Sequence, residues 1–510
     1  MSKSLTKSSY LDGLNCEKFL WINSFAQSEI DPPKAFDQNL MDDGNEVGEL
    51  VIELYPGGIE IPKSIISRDE RVALTNQLIE NGTEVIYEAT FFADNIEIRV
   101  DALLKVKDGY EIRELKSTKW KNEIIKDKKF QKHIDDVSIQ YYVLNKLGFC
   151  ITNSYVMAIN GEYIRGDMLE VKDLFKEEKV SNKVLDIQES IPEKVKHLNE
   201  ILSDSGKEPN TDIGSHCHKD GQKCGAKKYC WYHQRKIPDY SIFEIFNLGK
   251  NSLNLYYENI VDIKDIPENY KKTPLQQFYI DHWNNESTSI NHKKIDEFLS
   301  DLNFPLFHLD FESYNPTIPK YKNSRPYQQI PFQYSIHVEH NDDKCEHREF
   351  LGNPKSDPRE ELICQLLTDI KGNSSVIVYS GFEQSRIEEL ARDFPKYSDE
   401  LLAIIPRIKD FEEIFIKRYY YSYKLKKKYS IKKVMQLLVP SMESRYIDLK
   451  IAGKVSCGEE AILACKKLYT EENPVKIELI RKELLDYCEL DTLATVESLR
   501  AIRKIHLTNS

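Results

Sequence analysis

The sequence contains no run of about eighteen apolar residues, the length that a helix needs to span a bilayer. Its N-terminus, MSKSLTKSSYLDGL, lacks the apolar segment of a secretory signal peptide. Internal repeats and low-complexity tracts are also absent. The composition, 40% hydrophobic and 30% charged, is typical of a globular protein. We therefore expect a cytoplasmic protein without a membrane partner.

A disulfide framework is excluded by the same expectation, because the cytosol keeps thiols reduced. Six of the ten cysteines are scattered and lie mostly among apolar neighbours. This pattern predicts small core residues at Cys150, Cys345, Cys364, Cys457, Cys465 and Cys488.

Positive charge is in the minority, since 71 Lys and Arg against 83 Asp and Glu give a net charge of −12. This excess argues against indiscriminate binding to polyanions. A nucleic-acid enzyme remains compatible with it, because metal-binding carboxylates add negative charge while local basic patches hold the phosphates.

A chain of 510 residues is too long for one ordinary core, so we predict two domains, over 1–235 and 296–510, and a helical connector over 236–295. In the first domain, hydrophobic periodicity predicts an α/β sandwich of order α–βββ–α–β. Its helices are expected at 45–55, 71–81 and 135–147, and its strands at 84–92, 96–106, 110–116 and 151–159. The second domain is predicted to be an α/β layer with a mixed sheet. Its strands are expected at 305–312, 331–339, 346–351 and 375–379, with a helix at 358–371 and further helices to the C-terminus.

The strands of the first domain carry a cluster of acidic residues. Glu114 and Lys116 share one face of their strand, Asp101 lies on the preceding strand, and Glu88 lies one strand earlier. Such carboxylates are suited to Mg²⁺ or Mn²⁺, and a lysine beside them would orient a metal-activated water. A solvated strand face would give the same alternation of charge.

The run IRVDALLKVKDGYEIRELKSTKW, followed by DVSIQYYVL, resembles the RecB-type branch of the PD-(D/E)xK nucleases. The resemblance implies a nuclease site formed by Asp101, Glu114, Lys116 and Gln140, with Glu88 as a weaker member. Many such enzymes carry an N-terminal histidine ligand, which has no convincing equivalent here.

Three cysteines, Cys217, Cys224 and Cys230, are spaced by six and five residues, and Cys16 lies about 200 residues upstream. Close thiolates bind zinc or an iron–sulfur cluster, although the C-x2-C pair of zinc sites is absent. Rival ligands in this stretch are His216, His218 and His233. The layout is similar to that of CRISPR-associated RecB-like and AddB-type nucleases, which implies a [4Fe–4S] cluster on the four cysteines, with Zn²⁺ as the alternative.

The strand FPLFHLDFES places Asp310 and Glu312 on one face, and Tyr487 and Asp491 share a face of a late helix. An acidic pair on a strand with an aspartate on a helix is the ligand set of a two-metal nuclease. The pattern resembles the DEDD exonucleases of the ribonuclease-H-like superfamily, which implies that Tyr487 positions the attacking water. In the middle motif Glu383 stands where an Asp is usual, and Asp410 and Asp448 compete with it as the fourth ligand.

Nucleic acid would be held by basic segments. Residues 416–433 interleave eight Lys and Arg with five Tyr, a pattern suited to unpaired bases, and a second basic patch covers 116–132. A solvated helix face is the competing interpretation. The residues predicted to bind nucleic acid are Lys119, Lys417, Arg418, Tyr423, Lys426, Lys427 and Lys428.

Over nearly its full length the chain is similar to a bacterial family that joins a RecB-like domain to a DEDD-type domain, as GYEIRELKS, RPYQQIPFQYSIH and DYCELDTLA illustrate. The resemblance implies an exonuclease that processes DNA ends or single-stranded DNA in repair, mobile-element or defence contexts. A nucleic-acid-binding scaffold with degenerate sites and an RNA-processing exonuclease are the alternatives.

Overall fold

The computed structural model describes residues 3–32, 35–120, 128–217, 224–247, 249–342 and 344–508. Within these ranges the protein is a mixed α/β structure with mixed sheets, which confirms the predicted class. Its contacts divide the chain into two compact units, Met1–Pro238 with Pro316–Tyr327, and Asp239–Asn315 with Gln328–Ser510. No helix in the described ranges is both long and apolar enough to cross a membrane.

The first unit is built on one sheet, in the order β2-β3-β4-β5-β6-β7 with β1 beside β4. The strands are β1 (Leu5–Thr6), β2 (Ile59–Glu60), β3 (Val85–Ala93), β4 (Ile96–Val106), β5 (Gly109–Trp120), β6 (Ile151–Asn160) and β7 (Phe175–Lys179). The helices are α1 (Lys7–Asn15), α2 (Glu17–Phe25), α3 (Ala35–Leu54), α4 (Arg68–Glu80), α5 (Lys128–Lys146), α6 (Val171–Leu174), α7 (Ser181–Asp186) and α8 (Ile191–Ser203).

The centre of this unit has the predicted order α–βββ–α–β, from α4 through β6. Strands β3, β4 and β5 are antiparallel neighbours, whereas β5 and β6 are parallel and need the crossover helix α5 between them. Apolar residues of α5, including Ile134, Val137 and Val143, are buried in the same core cluster as Ile98 and Val100 of β4. This packing fixes the polar face of α5 relative to the sheet.

The second unit contains a five-stranded sheet in the order β11-β10-β9-β12-β13 and a separate pair, β8 with β14. The strands are β8 (Thr288–Ile290), β9 (Leu306–Tyr314), β10 (Ile330–Glu339), β11 (Cys345–Leu351), β12 (Val376–Val378), β13 (Ile408–Asp410) and β14 (Tyr420–Ser422). The helices are α9 (Ile242–Phe246), α10 (Lys250–Tyr257), α11 (Pro274–Asn284), α12 (His292–Ser300), α13 (Arg359–Asp369), α14 (Phe382–Asp393), α15 (Ser398–Leu402), α16 (Glu413–Ile416), α17 (Ile431–Leu438), α18 (Glu443–Ile451), α19 (Gly458–Thr470) and α20 (Pro474–Thr508).

The sheet of the second unit is mixed, as predicted. β9, β10 and β11 are antiparallel, and β12 and β13 run parallel to β9. The expectation that only helices follow residue 379 was wrong, because β13 and β14 interrupt them. Each of these strands has three residues, which is too short for an alternating pattern to appear in the sequence.

The prediction that six cysteines are small core residues holds for Cys465 and Cys488, which are buried. It was wrong for Cys150, Cys345 and Cys364, which are exposed. Apolar neighbours in sequence misled the prediction, because successive residues of a strand point to opposite faces and a helix buries only one face.

Candidate active sites

Strands β4 and β5 bring the first group of predicted site residues together. Their antiparallel register sets Ala102 opposite Arg113, which brings the adjacent Asp101 and Glu114 to neighbouring positions. Asp101 Oδ2 accepts a 2.7 Å hydrogen bond from the backbone N–H of Leu115. Glu114 is 1% exposed, so its carboxylate depends on protein partners rather than water.

Two of those partners were predicted. Lys116 Nζ lies 2.6 Å from Glu114 Oε1, and Gln140 Nε2 donates to Glu114 Oε2 at 2.6 Å. Gln140 reaches the strand from α5 and is fully buried, with its Oε1 unpartnered among the described residues. The structure therefore brings Asp101, Glu114, Lys116 and Gln140 into one group, which we call the first carboxylate cluster together with Asp136 and Lys7.

Asp136 and Lys7 were missed by the sequence reasoning. Asp136 Oδ2 lies 2.5 Å from Lys116 Nζ, and it precedes Gln140 by one helical turn. That spacing was a signal that could have found it. Lys7, at the start of α1, has its Nζ 2.9 and 3.0 Å from the two oxygens of Glu114. A separation of 107 residues left no comparable signal for Lys7.

Burial and charge act together on these groups. Burial, and then the neighbouring Glu114, raise the pKa of Asp101 to about 7. Burial alone would raise the pKa of Asp136, but Lys7 and Lys116 outweigh it and hold that pKa below its usual value. Burial alone would lower the pKa of Lys116, and the surrounding carboxylates, led by Glu114, raise it instead. The cluster is therefore a compact arrangement of opposite charges.

Glu88 and Lys119 lie outside this hydrogen-bonded group. Glu88 has a φ of 54° and is skipped in the pairing of β3 with β4, which joins Tyr87 to Ala102 and Ala89 to Val100. Burial raises its pKa, and the charge of Lys7 partly offsets that effect. Lys119 is exposed at the far end of β5, where its side chain crosses Gly161. Residues 121–127 of the predicted basic patch over 116–132 lie outside the described residues.

The four cysteines of the predicted cluster line one small cavity of the first unit, although about 200 residues separate Cys16 from the rest. Cys16 links α1 to α2, and Cys230 belongs to a π-helix over Lys228–Gln234. Burial is the main cause that raises the thiol pKa values, to about 11 for Cys224 and about 12 for Cys230. For both thiols the other cysteines of the cavity add to that increase.

The rival histidines are placed differently. His216 lines the cavity, with its Nε2 3.6 Å from Cys217 Sγ. His233 lies 3.2 Å from Glu29 and is half exposed, while His218 lies outside the described residues. Among the described side chains, no three of these cysteine and histidine ligand atoms lie within 4.8 Å of one another.

The second group of predicted residues meets between β9 and α20. Asp310 and Glu312 occupy one face of β9, and α20 packs against β9 and β10. One oxygen from each of Asp310, Glu312 and Asp491 lies within 4.8 Å of the others. In the described part of the chain this is the only such group of three or more potential ligands. We call it the second carboxylate cluster.

Two tyrosines and a lysine surround the second carboxylate cluster. Tyr446 donates a 2.6 Å hydrogen bond to Asp491 Oδ1, and Tyr487 also interacts with Asp491. Lys432 Nζ donates to Tyr487 Oη at 3.2 Å and to the carbonyl of Ser456 at 2.7 Å. Tyr487 was predicted. Tyr446 and Lys432 were missed because no spacing in the sequence joins α17 and α18 to β9.

The carboxylates of the second cluster repel one another in a poorly hydrated place. Burial, and then Asp491, raise the pKa of Asp310 to about 8. Burial, then Asp310 and Asp491, raise the pKa of Glu312 as well. Among the described residues no Lys, Arg or His forms an ion pair with any of the three. Such a site favours protons at low pH and a bound cation at higher pH.

The fourth acidic position is occupied by Glu383. Its side chain is 2% exposed, one carboxylate oxygen has no hydrogen-bond partner in the described structure, and Asp310 contributes to its raised pKa after burial. Asp410 instead accepts hydrogen bonds from the backbone of Ser380 and Glu412, as a turn-capping residue does. Asp448 is exposed on α18. Glu383 is therefore the best placed of the three competing residues.

The basic segment over 416–433 is largely engaged in packing. Tyr420 and Tyr421 are buried, and the ring of Tyr423 lies against Trp283. Lys417 pairs with Glu413. Of the other predicted residues, Arg418 lies over the Phe278 ring, Lys426 pairs with Asp239, and Lys427 donates to the carbonyl of Glu244. Lys428 is exposed.

The comparisons with known proteins bear on residues that lie mainly in the second unit. A family model described as "Domain of unknown function (DUF2779)" matches residues 307–430. The match covers Asp310, Glu312 and Glu383 and ends before the helix that carries Asp491. No curated protein and no solved structure matched the chain.

Proposed function

We propose that this protein is a metal-dependent nuclease with two separate sites, acting as an exonuclease on DNA ends or single-stranded DNA. The observation that carries the proposal is the convergence of Asp310, Glu312 and Asp491, three carboxylates within 4.8 Å that lack ion-pair partners in the described structure. Crowded buried carboxylates are costly, and function is the usual reason for keeping them.

Mg²⁺ or Mn²⁺ fits the second cluster, because such ions prefer oxygen ligands and the unpartnered oxygen of Glu383 adds a further donor. Asp310, Glu312 and Asp491 would hold the metal. Bound metal would polarise the phosphodiester and lower the pKa of a water. Tyr487, held by Lys432, is positioned to orient that water through its hydroxyl. The strand pairing supports a ribonuclease-H-like fold of the DEDD type for this unit.

The first carboxylate cluster supports a second nuclease site, of PD-(D/E)xK type in a RecB-like domain. Asp101, Glu114 and Asp136 offer oxygen ligands to the same ions, and Lys116 would orient the nucleophile. Gln140 holds Glu114 in place, so its role is positioning. The order α–βββ–α–β agrees with this proposal.

A [4Fe–4S] cluster is proposed in the cavity of Cys16, Cys217, Cys224 and Cys230. All four side chains line this one cavity, which supports a shared thiolate-bound cofactor there, with Zn²⁺ as the alternative. When bound, the cluster would join the N-terminal segment to the end of the unit.

The test is cleavage of end-labelled single-stranded DNA, duplex DNA and RNA with Mg²⁺ or Mn²⁺. In a Lys116→Ala background, which silences the first site, Asp310→Asn is expected to lower the cleavage rate at least about 100-fold. Asp399→Asn, at an exposed aspartate of the same unit, is the matched control and should change it less than about twofold.

The same assay separates the alternatives. Preference for RNA would move the proposal to an RNA-processing exonuclease with the same chemistry. No cleavage of any substrate by intact, cluster-loaded wild type would favour a binding scaffold, and equal effects of Asp310→Asn and Asp399→Asn would refute the second site.

A further inference from the structure

We infer that Lys7 is a built-in counter-cation that occupies the metal position of the first carboxylate cluster, so that a divalent metal binds only by displacing its ammonium group. The inference rests on the proposed nuclease function and adds a control of metal binding to it. It identifies Lys7 as a positioning residue that determines how strongly the site competes for metal.

Lys7 places its ammonium group among the three carboxylates of the cluster. Lys7 Nζ is almost equidistant from both oxygens of Glu114, at 2.9 and 3.0 Å, and lies 3.3 Å from Asp136 and 3.9 Å from Asp101. It therefore contacts all three acidic residues of the cluster. A Mg²⁺ or Mn²⁺ ion within about 2.1 Å of a Glu114 oxygen would lie within roughly 5 Å of an unmoved Lys7 Nζ. Two cations at that separation repel strongly in a poorly hydrated site.

The charges of the cluster also favour a dication in place of Lys7. When all three carboxylates are ionised, they face two ammonium groups, those of Lys7 and Lys116, which leaves one net negative charge. Without Lys7 two negative charges remain, and that value matches a single dication. Lys116 differs from Lys7 because it lies on the same strand as Glu114, and among the described carboxylates only Glu114 and Asp136 lie within 4.0 Å of its ammonium.

The side chain of Lys7 borders solvent, since 18% of it is exposed. Its backbone is anchored, since Thr6 and Ser9 form a capping box at the start of α1. Displacement therefore needs a change in the lysine side chain alone, with α1 unchanged. The ammonium of Lys7 holds the three carboxylates together when metal is absent and is displaced when metal binds.

The experiment measures Mn²⁺ binding by titration calorimetry on the full-length, cluster-loaded protein in an Asp310→Asn background, which removes binding at the second cluster. Lys7→Met is expected to bind Mn²⁺ at least about tenfold more tightly than the parent, because the competing charge is gone. Lys7→Arg should stay within about threefold of the parent. Lys176→Met, which removes a partly exposed lysine paired with Glu162, is the matched control and should leave the affinity unchanged.

Thermal unfolding gives a second readout that an ordinary structural role would not produce. In EDTA, Lys7→Met should melt at a lower temperature than the parent, since its carboxylates are left to repel one another. Mn²⁺ should raise the melting temperature of Lys7→Met more than that of the parent. Lys7→Gln, which keeps a hydrogen-bond donor without the charge, serves if Lys7→Met does not fold.

Unchanged or weaker Mn²⁺ binding by Lys7→Met and Lys7→Gln would overturn the inference while leaving the proposed nuclease intact. Absence of Mn²⁺ binding by the parent and by both variants would overturn the proposed metal site of the first unit and the inference with it. The two failures are therefore distinguishable.

Discussion

At the scale of single residues, the most informative groups are the carboxylates of the second cluster. Asp310, Glu312 and Asp491 lie together where each raises the electrostatic cost of ionising the next, and burial adds to that cost. In a purely structural role these residues would lower the stability of the fold without any compensating function. Their raised pKa values therefore predict that the free energy of unfolding depends on pH.

In the metal-free protein, the contribution of Asp310 to the free energy of unfolding should fall as pH rises from about 4 to about 8. The pKa of Asp310 is about 8 in the folded state against 3.8 ordinarily, so the folded state binds more protons across this window. Asp310→Asn removes the effect. In EDTA we expect this variant to be stabilised relative to wild type by roughly 3–4 kcal/mol more at pH 8 than at pH 5.

Chemical unfolding at pH 5, 6, 7 and 8 in EDTA measures this difference. Added Mn²⁺ should stabilise the wild type increasingly with pH, because metal ligands must be deprotonated, and should do so much less in Asp310→Asn. A stability difference between the two proteins that is independent of pH would contradict the account.

At the scale of elements, helix α20 positions the second cluster and is fastened to the sheet by a buried ion network. Glu339 of β10 is fully buried and accepts hydrogen bonds of 2.8 Å from both Arg500 and Arg503 of α20. His308 of β9 lies 3.2 Å from the same carboxylate. The network fixes the helix about three turns beyond Asp491, so it holds that ligand against β9.

Glu339→Ala should lower the free energy of unfolding by about 3 kcal/mol, because it leaves two guanidinium groups without their buried partner. The exposed pair of Glu297 with Lys294 provides the control, since Glu297→Ala should leave the free energy of unfolding nearly unchanged. Urea unfolding of both variants measures the two values. Equal losses would show that the network does not fasten α20.

The longer elements were predictable, while the shortest elements and the contacts between distant segments were not. β4 was predicted with its observed ends because eleven residues show a clear alternation of burial. β13 and β14 were not predicted, because three residues are too few to show an alternation of apolar and polar side chains. Asp310, Glu312 and Asp491 were found through motif resemblance. Lys7 and Lys432 were missed because only tertiary packing brings them to their carboxylates.

At the scale of the whole molecule, the chain contains two compact units, and each contains its own carboxylate cluster. Within the first unit, Cys16 and Cys217 bring together segments that are about 200 residues apart. A metal-thiolate link across so long a loop restrains the unfolded chain and so stabilises the folded one. α1 joins the two features, because it begins at Lys7 and ends directly before Cys16.

Anaerobically purified protein should be brown, with a broad absorption shoulder that Cys224→Ser removes. The same substitution should lower the melting temperature by several degrees, since the restraint on the loop is lost. Cys364→Ser, at an exposed cysteine of the second unit, is the control and should change neither property. A colourless protein with stoichiometric zinc would refute the cluster but keep the link, and metal-free protein of full stability would refute both.

The measurement that tests the central claim most directly is an end-labelled cleavage assay of four proteins: wild type, Lys116→Ala, Asp310→Ala and the double variant. If both carboxylate clusters are nuclease sites, we expect metal-dependent shortening of single-stranded DNA or DNA ends. Each single substitution should reduce this shortening in part, and the double variant should abolish it. Equal cleavage by the wild type and the double variant would contradict this claim, because the activity would then reside in neither carboxylate cluster.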